Sequence, residues 1–319
     1  MADDIKKIAV VGAGTMGHGI AQCFAQAGYE AVIVARTQKT LDRARVLIES
    51  SLKTMAEQGI LDKDSIKASL NRIKAINSLE EAVSDADIVV ETIIEELEAK
   101  KKLFAQLDAY CPPRALLASN TSYINVFEFE TSRQDKTVIA HWYAPPQLVP
   151  LVDVVGGPKT DKASLESIVR ILKKIGKRPV LMNKYISGYV VNRLQHAINH
   201  EINFLLDNDY ATPEQIDEAA RGGLAIRMMV VGVVARYDFG GISMKTRHPP
   251  GFVEVPLDYE YKKLQELINK GYLGVKSGRG FYDYKGKSEE ELYRERDIRL
   301  IEMLKTLKIL EARGPLARE

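Results

Sequence analysis

The chain has 319 residues, 45% apolar and 28% charged, with 45 Lys and Arg against 43 Asp and Glu for a formal net charge of +2. That is the profile of a soluble globular chain long enough for two domains and a sizeable core. So even a balance carries no footprint for nucleic acid or a membrane surface. The N-terminus runs from Asp3 and Asp4 into a strand-like stretch, without the basic start and apolar centre of a signal peptide. The longest apolar run, near Met228–Ala235, is about half of the ~20 residues that a bilayer needs. Cys23 and Cys111 form neither a disulfide framework nor a metal motif. A cytoplasmic location is expected.

Residues 5–11, IKKIAVV, predict a first strand. They lead into Gly12-Ala13-Gly14-Thr15-Met16-Gly17, then a helical pattern over His18–Ala27 that ends at Gly28, then a second strand over Glu30–Val34. Strand, G-x-G-x-x-G, helix and strand within about 30 residues is the fingerprint of a dinucleotide-binding unit. Gly12 is expected to make the tight turn, Gly14 to let the backbone approach a pyrophosphate, and Gly17 to let helix and strand pack closely. With Thr15 and Met16 they form the cofactor loop, the phosphates lying at the positive end of the helix dipole.

At the end of the second strand such units carry an acid that binds the adenosine ribose 2′-hydroxyl. Here the chain reads Ala35-Arg36-Thr37. Ala35 removes a carboxylate that would repel a 2′-phosphate, Arg36 supplies a planar cationic donor that suits phosphate, and Thr37 offers a hydroxyl. Lys39 and Arg43 are near in sequence. NADP is therefore the favoured cofactor. NAD is the alternative, with the ribose contact missing and Arg36 solvated.

Helices are predicted over Thr40–Gln58 and Lys63–Ile73. The apolar run in DADIVVETIIEE predicts a strand whose end carries Glu95, and Lys100 opens the helix KKLFAQLD. Ala115–Ala118 leads into Ser119-Asn120-Thr121-Ser122, Thr137–Ala140 ends at His141, and Leu151–Val155 carries Asp153. Strands alternating with helices indicate an α/β fold, a doubly wound and mostly parallel Rossmann-type sheet. After residue 184 the periodicity turns helical, so residues 1–184 are expected to form the dinucleotide-binding domain and 185–319 an all-α domain. Thr212 and Pro213 open a helix expected to stop at Gly222-Gly223. Residues 247–258 read as a proline-rich loop, KSGRGFYDY as a glycine-punctuated return toward the core, and Ser288–Ala312 as a helix with Leu300, Leu304 and Leu307 on one face. His196 and His200 sit four apart, but no third ligand accompanies them and no metal is expected.

The blocks VVGAGTMGHGIAQ, DADIVVE, LASNTS, AHWYAPPQLVPLVDVV, GYVVNRL and LGVKSGRGFYDY, in this order, resemble the L-3-hydroxyacyl-CoA dehydrogenase family over almost the whole chain. The resemblance implies an NAD(P)-dependent oxidoreductase of fatty acid metabolism, acting on an acyl-CoA, with a helical domain that makes a homodimer. Relatives in the wider family act on hydroxy acids without CoA, such as gulonate, carnitine and hydroxymethylpyridine carboxylates. By position, His141 matches the catalytic His, Ser122 the Ser of the NTS block, and Asn192 the Asn of the G-[FY]-x-x-N-R block. Asp153 falls where the family usually has Glu. Glu95 and Lys100 match positions near the nicotinamide half of the cofactor.

The chemistry is sound on its own terms. Oxidising a secondary alcohol needs a base for the hydroxyl proton while hydride leaves, and imidazole titrates near working pH. A carboxylate fixes its tautomer, as in a hydrolytic triad. Asp153 is one methylene shorter than Glu, so the backbone is expected to approach by roughly 1.5 Å to compensate. Two departures bear on the substrate. The family's His-Phe-x-Asn-Pro is His141-Trp142-Tyr143-Ala144-Pro145 here, and the helical domain carries Arg227 and Arg236. These arginines fit either an anionic substrate or interface salt bridges. A third reading, a dinucleotide-binding protein without turnover, is opposed by the Ser122–His141–Asp153–Asn192 set.

Overall fold

The computed structural model describes residues 5–234, 255, 256 and 258–311. It divides into two compact units, Met1–Val190 and Val191–Glu319.

The first unit is built on one eight-stranded sheet in the order β3-β2-β1-β4-β5-β6-β7-β8. The strands are β1 (Lys7–Val11), β2 (Glu30–Val34), β3 (Ile73–Ile76), β4 (Ile88–Glu91), β5 (Leu116–Ser119), β6 (Thr137–Trp142), β7 (Leu151–Gly156) and β8 (Arg178–Leu181). All neighbouring pairs are parallel except β6 with β7. That exception follows from chain length. Only residues 143–150 separate β6 from β7, too few for the dozen or more that a parallel crossover needs.

The central strands are apolar on both faces because helices cover both. Ile8 and Val10 pack with Ile20 and Phe24 of α1 (Gly17–Gln26), Leu41 and Ile48 of α2 (Gln38–Glu57), and Ile168 and Ile171 of α6 (Lys162–Lys174). Ala9 and Val11, pointing the other way, pack with Ala82 of α4 (Leu79–Val83) and Phe104 and Leu107 of α5 (Leu97–Tyr110). One departure from expectation is β3. The helical pattern does not run to Ile73, because α3 (Lys63–Asn71) stops first and Ile73–Ile76 pairs with β2 as an edge strand. Its two central residues, Lys74 and Ala75, are exposed, so four residues carry too little alternation to be read.

The second unit contains α7 (Val191–Asp207), α8 (Pro213–Ala219), α9 (Ile226–Val231), α10 (Lys262–Asn269) and α11 (Glu289–Glu311). Thr212 caps α8 through a capping box with Gln215, as its sequence requires. The chain does not stop at Gly222-Gly223. It passes through a π-helical turn, Ala220–Ala225, directly into α9, since a glycine weakens a helix by about 1 kcal/mol without ending it. The stop comes at Gly232, whose φ of 91° is the backbone state that glycine adopts without strain. The described side chains of KSGRGFYDY are not buried: Phe281 is 42% exposed, and the Tyr282 hydroxyl donates to Asp217 of α8 at 2.7 Å. Among the described side chains of α11, Asp297 and Ile301 are buried, with Leu300 and Leu304 half-buried beside them, and that of Leu307 lies outside the described ones. Arg236 and nearly all of the proline-rich 247–258 stretch lie outside the described residues.

Candidate active site

The glycine loop sits where β1 meets α1, beside the switch in strand order between β1 and β4, the usual place for a nucleotide in an open α/β sheet. A Cβ on Gly17 would lie 1.8 Å from the Gly12 carbonyl oxygen, and one on Gly12, at φ +111°, would lie 2.6 Å from the Thr92 carbonyl oxygen. Gly14 faces open space, with nothing within 4 Å. Gly14 and Thr15 are exposed, and Met16 packs partly on the core. No side chain caps α1 at Met16, whereas Thr37, Ser78 and Asp161 cap α2, α4 and α6. The first-turn amides of α1 therefore face outward at the positive end of the dipole. An open backbone cradle with uncapped donors fits a pyrophosphate.

At the end of β2 the Ala35 carbonyl accepts from Asn77 Nδ2 at 2.9 Å. Arg36 and Lys39 are exposed. The Thr37 hydroxyl is committed locally: it caps α2, accepting from the Thr40 amide at 3.3 Å and pairing with the Thr40 hydroxyl at 2.9 Å.

Beyond β4 lies a buried polar cluster. Lys100 and Glu91 are each 1% exposed, with Nζ 2.5 Å from Glu91 Oε1 and 3.3 Å from Glu95 Oε2. Glu91 also accepts from Ser119 Oγ at 2.6 Å. Glu95 lies four residues past β4, in the loop, where it accepts from Thr121 Oγ1 at 2.5 Å and from the Ser122 and Tyr123 amides at 2.9 and 2.8 Å. Burial pushes the Glu95 carboxyl up, but these hydrogen bonds and the Lys100 charge prevail and hold it below the usual range. Lys100 thus sits beneath the surface, bracing Glu95, which in turn shapes the 120–123 loop.

His141 and Asp153 are direct cross-strand partners in the antiparallel β6·β7 register, so their side chains share a face. His141 is 4% exposed and Asp153 1%. Ser122 Oγ lies 3.2 Å from His141 Nε2, and Nδ1 lies 3.6 Å from Asp153 Oδ2. The backbones therefore do not close the distance that the shorter Asp leaves. Ser122, His141 and Asp153 are gathered within the first unit. Asn192 belongs to the second, on the first turn of α7.

Several neighbours had no place in the sequence reading. The Tyr143 hydroxyl donates to Asp153 Oδ2. Tyr189 is fully buried, its ring 4.8 Å from the imidazole and its hydroxyl 2.7 Å from the Thr121 carbonyl. Burial pushes the Tyr189 phenol well above its ordinary range, so it stays neutral and donates. Tyr185 and Ser187 donate to the Tyr123 carbonyl at 2.6 and 3.1 Å, and the Gly188 amide to the Ser122 carbonyl at 3.0 Å. The segment after β8 thus clamps the loop that carries Ser122. The only signal for it was the aromatic in G-Y-V-V-N-R. His200, by contrast, pairs with Tyr261 at 2.9 Å.

A doubly wound sheet with an open glycine cradle and a Ser–His–Asp set at the same edge defines a nicotinamide-dependent oxidoreductase. Comparison with known proteins gives the family. The NAD-binding domain of 3-hydroxyacyl-CoA dehydrogenases matches residues 7–185, and the C-terminal domain of the same enzymes matches residues 188–284. The chain belongs to the 3-hydroxyacyl-CoA dehydrogenase family. It is 34% identical to a probable 3-hydroxybutyryl-CoA dehydrogenase of Bacillus subtilis, over 89% of this chain and 99% of that one. It is 31% identical to an L-carnitine dehydrogenase of Streptomyces coelicolor, over 95% of each. Its fold superposes with a TM-score of 0.82 and 25% identity on a solved 5-formyl-3-hydroxy-2-methylpyridine 4-carboxylic acid 5-dehydrogenase, an NAD+-dependent dismutase, covering 95% of this chain and 99% of that one.

Proposed function

We propose that the protein moves a hydride between NADP(H) and the 3-hydroxy or 3-keto carbon of an acyl-CoA. The observation that carries the reading is the Ser122–His141–Asp153 constellation at the strand edge that also holds the glycine cradle. The cofactor supplies the hydride acceptor when it is bound. His141 takes the hydroxyl proton at Nε2, the nitrogen beside Ser122, and Asp153 stabilises the imidazolium that forms. Ser122 donates to the substrate oxygen as its charge changes. Asn192 is assigned a second contact on its motif alone. Glu95 with Lys100 holds the Ser122 loop in place.

The NADP preference is supported by Ala35 and by the exposed Arg36 and Lys39. With the Thr37 oxygen engaged in capping, Arg36 is the principal phosphate ligand. Fluorescence titration with NADPH and NADH tests this. NADPH is expected to bind at least about tenfold more tightly, the worth of one charge-assisted contact, and Arg36→Asp to abolish or reverse the preference. Equal affinities in the parent protein overturn it.

A second substrate reading has an observation in its favour. The fold superposes on the pyridine carboxylic acid dehydrogenase with a TM-score of 0.82, against 0.69 and 0.70 on two solved 3-hydroxybutyryl-CoA dehydrogenases. A free hydroxy acid is that alternative, and turnover of acetoacetyl-CoA against acetoacetate and dehydrocarnitine separates the two. Turnover of none by an NADPH- or NADH-binding protein would instead support a dinucleotide binder without catalysis. We further infer a cytoplasmic homodimer. In the second unit only Leu206, Asp297 and Ile301 are buried among the described residues, while Leu194, Ile226 and Met229 are 44%, 57% and 38% exposed. Sedimentation at micromolar concentration checks the dimer.

A further inference from the structure

We propose that Tyr143 is a positioning residue for the proton relay: its hydroxyl holds the Asp153 carboxylate and sets how strongly that carboxylate binds the His141 imidazole. The proposal rests on His141 acting as the base. Three observations carry it. The distance from Nδ1 to Oδ2, 3.6 Å, is too long for a hydrogen bond, and the buried Nδ1 has no hydrogen-bond partner among the described residues. The Tyr143 hydroxyl donates to Oδ2, the same carboxylate oxygen that faces the imidazole. The Tyr143 ring also stands edge-on to the imidazole, with centroids 4.7 Å apart. One side chain therefore touches both members of the pair.

The physical consequence has a sign. A carboxylate oxygen that already accepts from a phenol offers less negative charge to a neighbouring imidazolium. It is also held from rotating the few tenths of an ångström needed to accept from Nδ1. Tyr143 thus keeps the pair from closing into a full ion pair. Here the short acid and the tyrosine form a matched set. The other titratable groups around the imidazole are Tyr189 and Tyr185 from the segment after β8 and, behind the Ser122 loop, Glu95 with Lys100.

The test is the titration of the His141 ring, followed by NMR in full-length protein labelled at histidine and assigned with His141→Gln. Tyr143→Phe is expected to raise the titration midpoint by roughly half a pH unit or more, the size of a lost hydrogen bond on a buried charged pair. Incorporating 3-fluorotyrosine at position 143, a stronger donor, moves it the other way. In an Asp153→Asn background the Tyr143→Phe shift disappears. The acid limb of kcat/KM for oxidation of (S)-3-hydroxybutyryl-CoA moves with the ring. A midpoint that stays put in Tyr143→Phe, or one that shifts equally in the Asp153→Asn background, overturns the proposal. Ring shifts as expected without turnover of this probe would leave Tyr143 in place and overturn the substrate reading instead. Should Tyr143→Phe fail to fold, the fluorotyrosine protein decides alone.

Discussion

The two units of this chain meet the same physical requirement in different ways. In Met1–Val190 the central strands are buried on both faces, and two apolar layers close over them within the chain itself. In Val191–Glu319 most apolar side chains of the described helices are only half-buried, and α8 and α10 bury none of their residues. Apolar burial contributes about 25 cal/mol per Å². The first unit therefore carries its own stabilisation, whereas the described helices of the second bury only Leu206, Asp297 and Ile301. Chemistry follows the same division. The glycine cradle and the Ser122–His141–Asp153 set need fixed distances, and they sit on the rigid unit.

Separating the units would test that contrast most severely. A fragment of residues 1–190 is expected to unfold cooperatively and to bind dinucleotide, and a fragment of 191–319 to show no cooperative transition by circular dichroism. A cooperative transition in the latter would erase the difference. Within the rigid unit, His141→Ala is expected to lower kcat/KM by about two to four orders of magnitude, with an unchanged melting curve. A parallel loss of stability would mean that the site and the core are not separable.

Gly17→Ala is expected to be next in size. Its Cβ would fall 1.8 Å from a backbone oxygen, so the loop must move. The expected cost is about 2–3 kcal/mol in denaturant unfolding, with dinucleotide affinity falling in the same variant. Gly14→Ala, facing open space, should keep stability while weakening the cofactor, so equal melting losses in both would contradict the assignment. The smallest effect concerns Glu95. Its folded carboxyl titrates below the usual range, so its contribution to stability is present above the unfolded value near about pH 4.3. That contribution is lost as pH falls through the folded value. Glu95→Gln is therefore expected to flatten the acid limb of the stability profile, measured by urea unfolding between pH 3 and 6.

How much of this was legible depended on range along the chain. The glycine loop and the first strands were readable because each rests on local steric and periodic rules: Gly12, Gly14 and Gly17 serve a turn complete within six residues. His141, Asp153 and Ser122 were picked out by family resemblance rather than by pattern. The edge strand Ile73–Ile76 was not visible, since its identity comes from β2 beside it. The glycine pair at 222–223 misled because helix continuity there depends on a π-turn that no local preference announces.

By itself, then, the amino-acid order determined the alternation of strands and helices, the cofactor loop and the residue types available for proton transfer. All of these follow from interactions between near neighbours. Tertiary structure alone decided that His141 faces Asp153 across an antiparallel pair, that the gap between them stays open, and that the Tyr143 hydroxyl donates to the same Asp153 oxygen. The physical reason is that hydrogen bonding and charge act over a few ångströms of space, and only sheet register and packing set which distant residues come that near.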